Sequence, residues 1–393
     1  MCEENFKKYK KIKNDLSKIN YKKIRLDRTT SSFLAHYFLI KTSPIILFLK
    51  IIRNLFFIPR LDISFINKKN VYIYSVKRND QKDLFNFYQN KLKKKFSIYY
   101  LSNRKLRIFI SIKNILIAYY FIKKINRYPL NERFLIFCSI LAGINFYSWL
   151  EKKISNKKIY TKFLLSYNSS FLYESVINVF LQVHGLKTYS LQHAFYCKYE
   201  KNIPYDVINY ENVQANFLLQ WSQYSINSVK GHISKYTKQV NFGYFPKNYF
   251  RNNYEKKSKN ILISLPRKLY FAENQKLINI ITNSIFDNFL FYLAKHPQDN
   301  NNYYYGNKPN IVLVDGGYNR QVTKRNYRAL IAFNSSCMFL STLYNIPPLI
   351  YLSCKNEFQE KKFFYFNRKE TLLKLLTKNN LNKYCENLKK SFF

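Results

Sequence analysis

From residue 71 onward, short apolar runs alternate with longer stretches whose apolar positions recur at helical spacing. VYIYSV (71–76), FSIYYL (96–101), TKFLLSY (161–167), LKTYSLQ (186–192), NFLLQWS (216–222) and KQVNF (238–242) read as strands. Helical stretches follow Asn79 and run over roughly 105–125 and 131–153, and a short helix precedes the strand at 238–242. After the 161–167 strand, Asn168, Ser169 and Ser170 offer N-caps, Glu174 is placed to complete a capping box, and Gly185 marks the helix stop. The stretch PKNYFRNNYEKKS (246–258) is polar and apolar-poor, a linker. Beyond it the alternation resumes: strands NILISL (260–265), FLFYLAK (289–295), PNIVLV (309–314), ALIAF (329–333) and PLIYLS (348–353), with helices over about 273–288, after Asn334 and over 367–390.

Two successive blocks of strand–helix alternation predict an α/β chain with two parallel, doubly wound sheets. The expected boundaries are a basic helical N-terminal region at 1–70, a Rossmann-like domain at 71–245, the linker at 246–258, and a second Rossmann-like domain at 259–393. In such sheets ligands collect at the C-terminal strand ends, so the loops after strands are where chemistry is to be sought.

Composition adds a charge to this picture. The formal net charge of +44 comes mostly from Lys, in a chain rich in Asn, Ile, Tyr and Phe and poor in Gly, as AT-rich coding drift would produce. Drift explains the lysines without removing their field, which suits an anionic membrane face. Nucleic acid is not expected as a partner, since zinc-finger spacing, RRM-type aromatic boxes and basic-region heptads are all missing. Segment 43–59 is apolar, aromatic and basic together, with Lys50 and Arg53 inside it, and is the better candidate for a helix in the membrane interface. Segment 134–150 is uncharged but short for a span. Six cysteines without a C-x-x-C pair, and a charged N-terminus without a following apolar core, fit a cytoplasmic protein.

Three polar motifs stand at expected strand ends. His193, in LQHAF, is a strand-end imidazole suited to act as general base, with Glu200, Asp206 and Glu211 as acidic rivals in the following loop. His296 precedes Pro297, which stiffens the turn, so its ring is positioned to hydrogen-bond a leaving phosphate; Lys295 adds a charge beside it. Ser335 and Ser336 open a helix and serve equally as caps or as part of an anion cradle. Arg267, in the loop after 260–265, is a further phosphate candidate on the same edge. Asp315-Gly316-Gly317 reads as a turn. A D-x-D metal triplet, a P-loop, a G-x-G-x-x-G turn and a G-x-S-x-G elbow are all missing.

Lys295-His296-Pro297 followed by Ser335-Ser336 before a helix resembles the C-terminal half of a broad group of GT-B surface-polysaccharide transferases. The group takes in bacterial sialyltransferases, capsule Kdo transferases and CDP-glycerol glycerophosphotransferases. The resemblance implies two Rossmann-like domains facing a central cleft, with His296, Ser335 and Ser336 at the donor nucleotide. HGLKTYSLQHAFY (184–196) is similar to the group's Gln-His-Gly segment, which would make His193 the base; Ala194 stands where those chains carry Gly. The sialyltransferases' acidic base motif is missing, as is the Glu many relatives carry in the helix after the double Ser. The expectation is a metal-independent, inverting transferase with no cofactor. It would move a sugar from a nucleotide-activated donor to a glycan or lipid-linked glycan of capsule or lipooligosaccharide type, at the inner face of the membrane. A CDP-polyol phosphotransferase of the same fold and a non-catalytic membrane-associated scaffold are the alternatives.

Overall fold

The apolar runs make parallel strands here, and Phe163–Ser166, Ala329–Ala332 and Pro348–Tyr351 are buried along their whole length. The computed structural model describes residues 3–39, 43–75, 79–198, 203, 207–244, 255, 257–297, 299–306, 308–358 and 360–393; most of the expected linker 246–258 lies outside them. The chain divides into two units, the first formed by Met1–His193, Ile203–Gln220 and Val229–Phe242, the second by Ala194–Asn202, Trp221–Ser228 and Gly243–Phe393.

In the first unit the sheet strands are β1 (Asn70–Tyr74), β2 (Ser97–Tyr100), β3 (Phe163–Ser166), β4 (Thr188–Leu191), β5 (Phe217–Gln220) and β6 (Lys238–Asn241). They pair in parallel in the order β6-β5-β4-β3-β1-β2. The order reverses between β1 and β3, which makes their C-terminal ends the switch point of this sheet.

Among the described residues, the helices of this unit are α1 (Glu3–Leu16), α2 (Leu26–Phe38), α3 (Pro44–Phe56), α4 (Asn79–Leu92), α5 (Ile112–Lys123), α6 (Leu130–Ile154) and α7 (Leu172–Val183), with a shorter one at Val207–Glu211. Residues 1–70 are therefore part of this unit, and α2 is buried against α6. Gly143 of α6 permits that approach, since a Cβ there would stand 2.5 Å from the Thr29 carbonyl oxygen. Helix α6 is long and apolar enough to span a membrane, yet most of its apolar stretch is buried inside the protein.

Two local expectations change. Residues 105–108 are not helical: they belong to the strand Ser102–Ile108, which pairs antiparallel with Phe57–Arg60. The helix opens only at Ile112, where the Ser111 hydroxyl accepts from the Asn114 N–H at 3.3 Å. The capping box at α7 also fails, because the cap is Phe171, with no side-chain bond, and Glu174 is drawn elsewhere.

The second unit holds β7 (Asn260–Ser264), β8 (Leu290–Ala294), β9 (Ile311–Val314), β10 (Ala329–Ala332), β11 (Pro348–Tyr351) and β12 (Phe364–Phe366). All pair in parallel, in the order β9-β8-β7-β10-β11-β12. Counted from its own first strand this is the Rossmann order, with its switch point between β7 and β10. The expected helix at 273–288 is Phe271–Ile281, followed by a short 3-10 turn, Ser284–Phe286, capped by Asn283. β12 was not expected. The chain is thus α/β with two Rossmann-like doubly wound units, the plan of the GT-B type.

Candidate functional site

Parallel strands bring distant loops to one edge, and in the second unit that edge gathers the motifs read from the sequence. Arg267 follows β7, Lys295-His296-Pro297 follows β8, and Ser335-Ser336 follows β10. β8, β7 and β10 are consecutive neighbours in the sheet, so the three loops lie around its switch point. Arg267, His296, Ser335 and Ser336 are all half-buried.

The His296 turn is held from several directions. The Asp299 N–H donates to the His296 carbonyl at 2.8 Å. The buried Asp299 carboxylate accepts from the Asn301 N–H at 3.1 Å and from the Tyr303 hydroxyl. That hydroxyl in turn accepts from the Asn274 amide at 2.8 Å, which makes a longer 3.5 Å contact with the Pro266 carbonyl beside Arg267. Burial first, and the Asp299 bond second, push the Tyr303 phenol well above its ordinary range, so it stays a donor. Lys295 donates its ammonium to the Asn301 carbonyl at 3.1 Å, inside the same loop. Asp315-Gly316-Gly317 is more than a turn. Gly316 and Gly317 adopt φ of +86° and +63°, and a Cβ on Gly317 would come within 3.5 Å of the Lys295 carbonyl oxygen and 3.8 Å of Pro297. Side chains other than Gly are disfavoured there by conformation.

At β10 the reading of Ser335 as a cap is only partly met. Its hydroxyl accepts from the Cys337 N–H at a long 3.5 Å and from the Cys337 thiol at 3.0 Å. Ser336 is the formal cap of the Cys337–Leu343 helix and makes no side-chain cap bond. Burial raises the Cys337 thiol above its usual value, against the opposing bonds from Ser264, at the end of β7, and Ser335.

Sequence reasoning passed over Asn334. It sits at φ +46° immediately before the double Ser. Its amide donates to the Lys355 carbonyl at 2.8 Å and its oxygen accepts from the Glu357 N–H at 2.7 Å, so it joins the loops after β10 and β11. Glu357 accepts from the Tyr270 hydroxyl at 2.5 Å, and Lys355 pairs with Glu273 at 3.0 Å. The available signal was an Asn before a helix, one of the few side chains that tolerate a left-handed backbone.

In the first unit, His193 lies two residues beyond β4, buried, with its ring 5.6 Å from that of Tyr167, which follows β3. His193 therefore belongs to the first unit and the other six predicted residues to the second. Of the acidic rivals, Glu200 and Asp206 lie outside the described residues. Glu211 is taken up structurally, accepting from His232 Nδ1 at 2.9 Å and pairing with Lys13 at 3.7 Å, which ties α1 to the unit.

The switch point of the first sheet carries a carboxylate that the sequence offers only as a capping-box member. Glu174 is wholly buried; one oxygen accepts from the Ser75 N–H at 2.7 Å and from the Ser75 hydroxyl at 2.5 Å, the other from the Asn168 N–H at 2.9 Å. It thereby joins the ends of β1 and β3. Burial dominates these bonds and lifts its pKa to about 7.

No protein-family model matches the chain, and no curated protein matches it in sequence. Solved structures do resemble it. Staphylococcus aureus MnaA with UDP shares 12% identity at a TM-score of 0.46, over 81% of this chain and 90% of that one. The glycosyltransferase of kitacinnamycin gives 8% and 0.49, over 82% and 94%. The wall teichoic acid polymerase TagF with CDPG gives 11% and 0.45, over 82% and 83%. Likenesses this distant say nothing of activity, and the fold class rests on the strand orders of the two sheets.

Proposed function

We propose that the protein is a cytoplasmic, metal-independent glycosyltransferase that moves a sugar from a nucleotide-activated donor to a surface glycan or lipid-linked glycan acceptor. The observation that supports this is the convergence of the His296, Arg267 and Ser335–Ser336 loops on the switch point of a Rossmann-ordered sheet, where α/β folds bind nucleotides. In this reading the second unit binds the donor. His296 hydrogen-bonds the phosphate oxygen that takes up charge as the sugar–phosphate bond breaks, and Arg267 and the serines hold the phosphates. His193 takes the proton from the acceptor hydroxyl as its oxygen bonds to the anomeric carbon with inversion, and the nucleotide departs with the bond's electrons.

The test is a thermal-shift series with CMP, CDP, UDP, GDP and their sugar conjugates, with and without EDTA. A nucleotide that stabilises the protein in EDTA, and no longer does so in His296→Ala, supports the reading. A CDP-only response redirects it to polyol-phosphate transfer. If no nucleotide raises the melting temperature at millimolar concentration, the proposal fails and a scaffold takes its place.

A further inference from the structure

Helix α3 turns an apolar stripe outward. Its buried side is Ile51 and Asn54, whereas Ile45 and Leu49, one turn apart, are 73% and 59% exposed, and Phe56 at the end of the helix is exposed as well. A helix that only covers a core carries polar residues on this side. The last turn of α3 continues into Phe57–Arg60, where Phe57 pairs with Ile108, and the Phe109 N–H donates to the Phe56 carbonyl at 2.9 Å. The chain then opens α5 with a second outward stripe: Ile112 is 74% and Leu116 62% exposed, above buried Asn114 and Ala118. Asn145 of α6 fixes both pieces, donating to the Leu55 carbonyl at 3.1 Å and accepting from Asn114 at 2.8 Å.

The charge within these two segments has one sign. Neither residues 43–60 nor residues 102–124 contain an Asp or Glu, while Lys50, Arg53, Arg107, Lys113, Lys123 and Lys124 lie among the apolar positions. Lys123 and Lys124 place their ammonium groups 4.7 and 4.5 Å from the ring centres of the exposed Tyr119 and Tyr120. Apolar side chains outward, aromatic rings and basic heads together match the boundary between acyl chains and anionic headgroups. A second copy of the chain fits poorly, since two faces of the same positive sign would repel.

We infer that the α3–α5 face docks on an anionic lipid bilayer, with Ile45, Leu49, Ile112 and Leu116 entering the acyl boundary. This goes beyond the transferase reading and does not depend on it. The test is flotation of the full chain with vesicles of phosphatidylcholine, alone or mixed with phosphatidylglycerol, at low and high salt. The paired substitutions Ile45→Ser with Leu49→Ser, and Ile112→Ser with Leu116→Ser, affect outward positions, and unchanged melting curves verify their folding. The expected result is capture by the mixed vesicles and a fall in partitioning of about tenfold or more for each pair. Capture that disappears at high salt and ignores both pairs is adsorption of a basic protein and overturns the inference. So does light scattering that shows a dimer dissolved by the same substitutions, with no vesicle capture.

Discussion

Glu174 allows a quantitative test of the first unit. Its pKa is raised from 4.5 to about 7 by burial, which outweighs the bonds from Ser75 and Asn168. A carboxyl whose folded pKa is raised binds its proton more tightly in the folded state. Its stabilisation is complete below pH 4.5 and is lost as the pH rises through 7, a difference of about 3 kcal/mol. His36 runs the other way. Burial, then the charges of Lys50 and Arg53, lower its pKa from 6.5 to about 4, so its contribution is present above pH 6.5 and is lost on acidification, again about 3 kcal/mol. In the parent the two nearly cancel. Glu174→Gln removes one slope and sets an amide NH2 against either the Ser75 or the Asn168 N–H, a pH-independent penalty of about 1–3 kcal/mol. Melting followed by circular dichroism between pH 4.5 and 7 should therefore be nearly flat for the parent. The melting transition of the first unit should fall roughly 6–12 °C further in the variant than in the parent on acidification. His36→Gln should show the opposite slope. If the parent and Glu174→Gln curves run parallel across this window, the buried-carboxyl account is wrong.

Asn334→Gly keeps the left-handed backbone but loses two hydrogen bonds, so it should destabilise the second unit by about 2 kcal/mol, and Asn334→Ala by about 1 kcal/mol more, read as shifts in urea midpoint. Gly143→Ala should lower stability by about 1–3 kcal/mol in the same assay, because α2 must move off its Cβ. Gly317→Ala strains a positive φ beside the His296 turn; it should weaken the stabilising nucleotide about tenfold in titration calorimetry, while the α3–α5 face still captures vesicles.

The strands were legible because buried parallel strands are continuous apolar runs, and among the described residues eleven of the twelve strands in the two six-stranded sheets coincide with runs read from the sequence. The exception is Phe364–Phe366, three residues whose partner supplies most of what defines it. The strand order was not legible, since it depends on which loops close over which neighbours. Glu174 and Asn334 were hidden for the same reason. Locally one looks like a capping glutamate and the other like a residue before a helix, and their roles appear only when β1 lies beside β3 and β10 beside β11. Ser102–Ile108 was misread because its antiparallel partner lies more than forty residues earlier in the chain.

The second unit borrows Ala194–Asn202 and Trp221–Ser228 from the first half of the sequence. Phe195 stacks on Phe339 with ring centres 4.2 Å apart, and Tyr224 meets Phe392 at 5.0 Å and donates to Glu360 at 2.7 Å. During synthesis these early rings emerge from the ribosome long before the residues that cover them. The first half of the nascent chain must then carry uncovered aromatic surface through translation of more than a hundred residues, a period in which chaperone capture competes with aggregation.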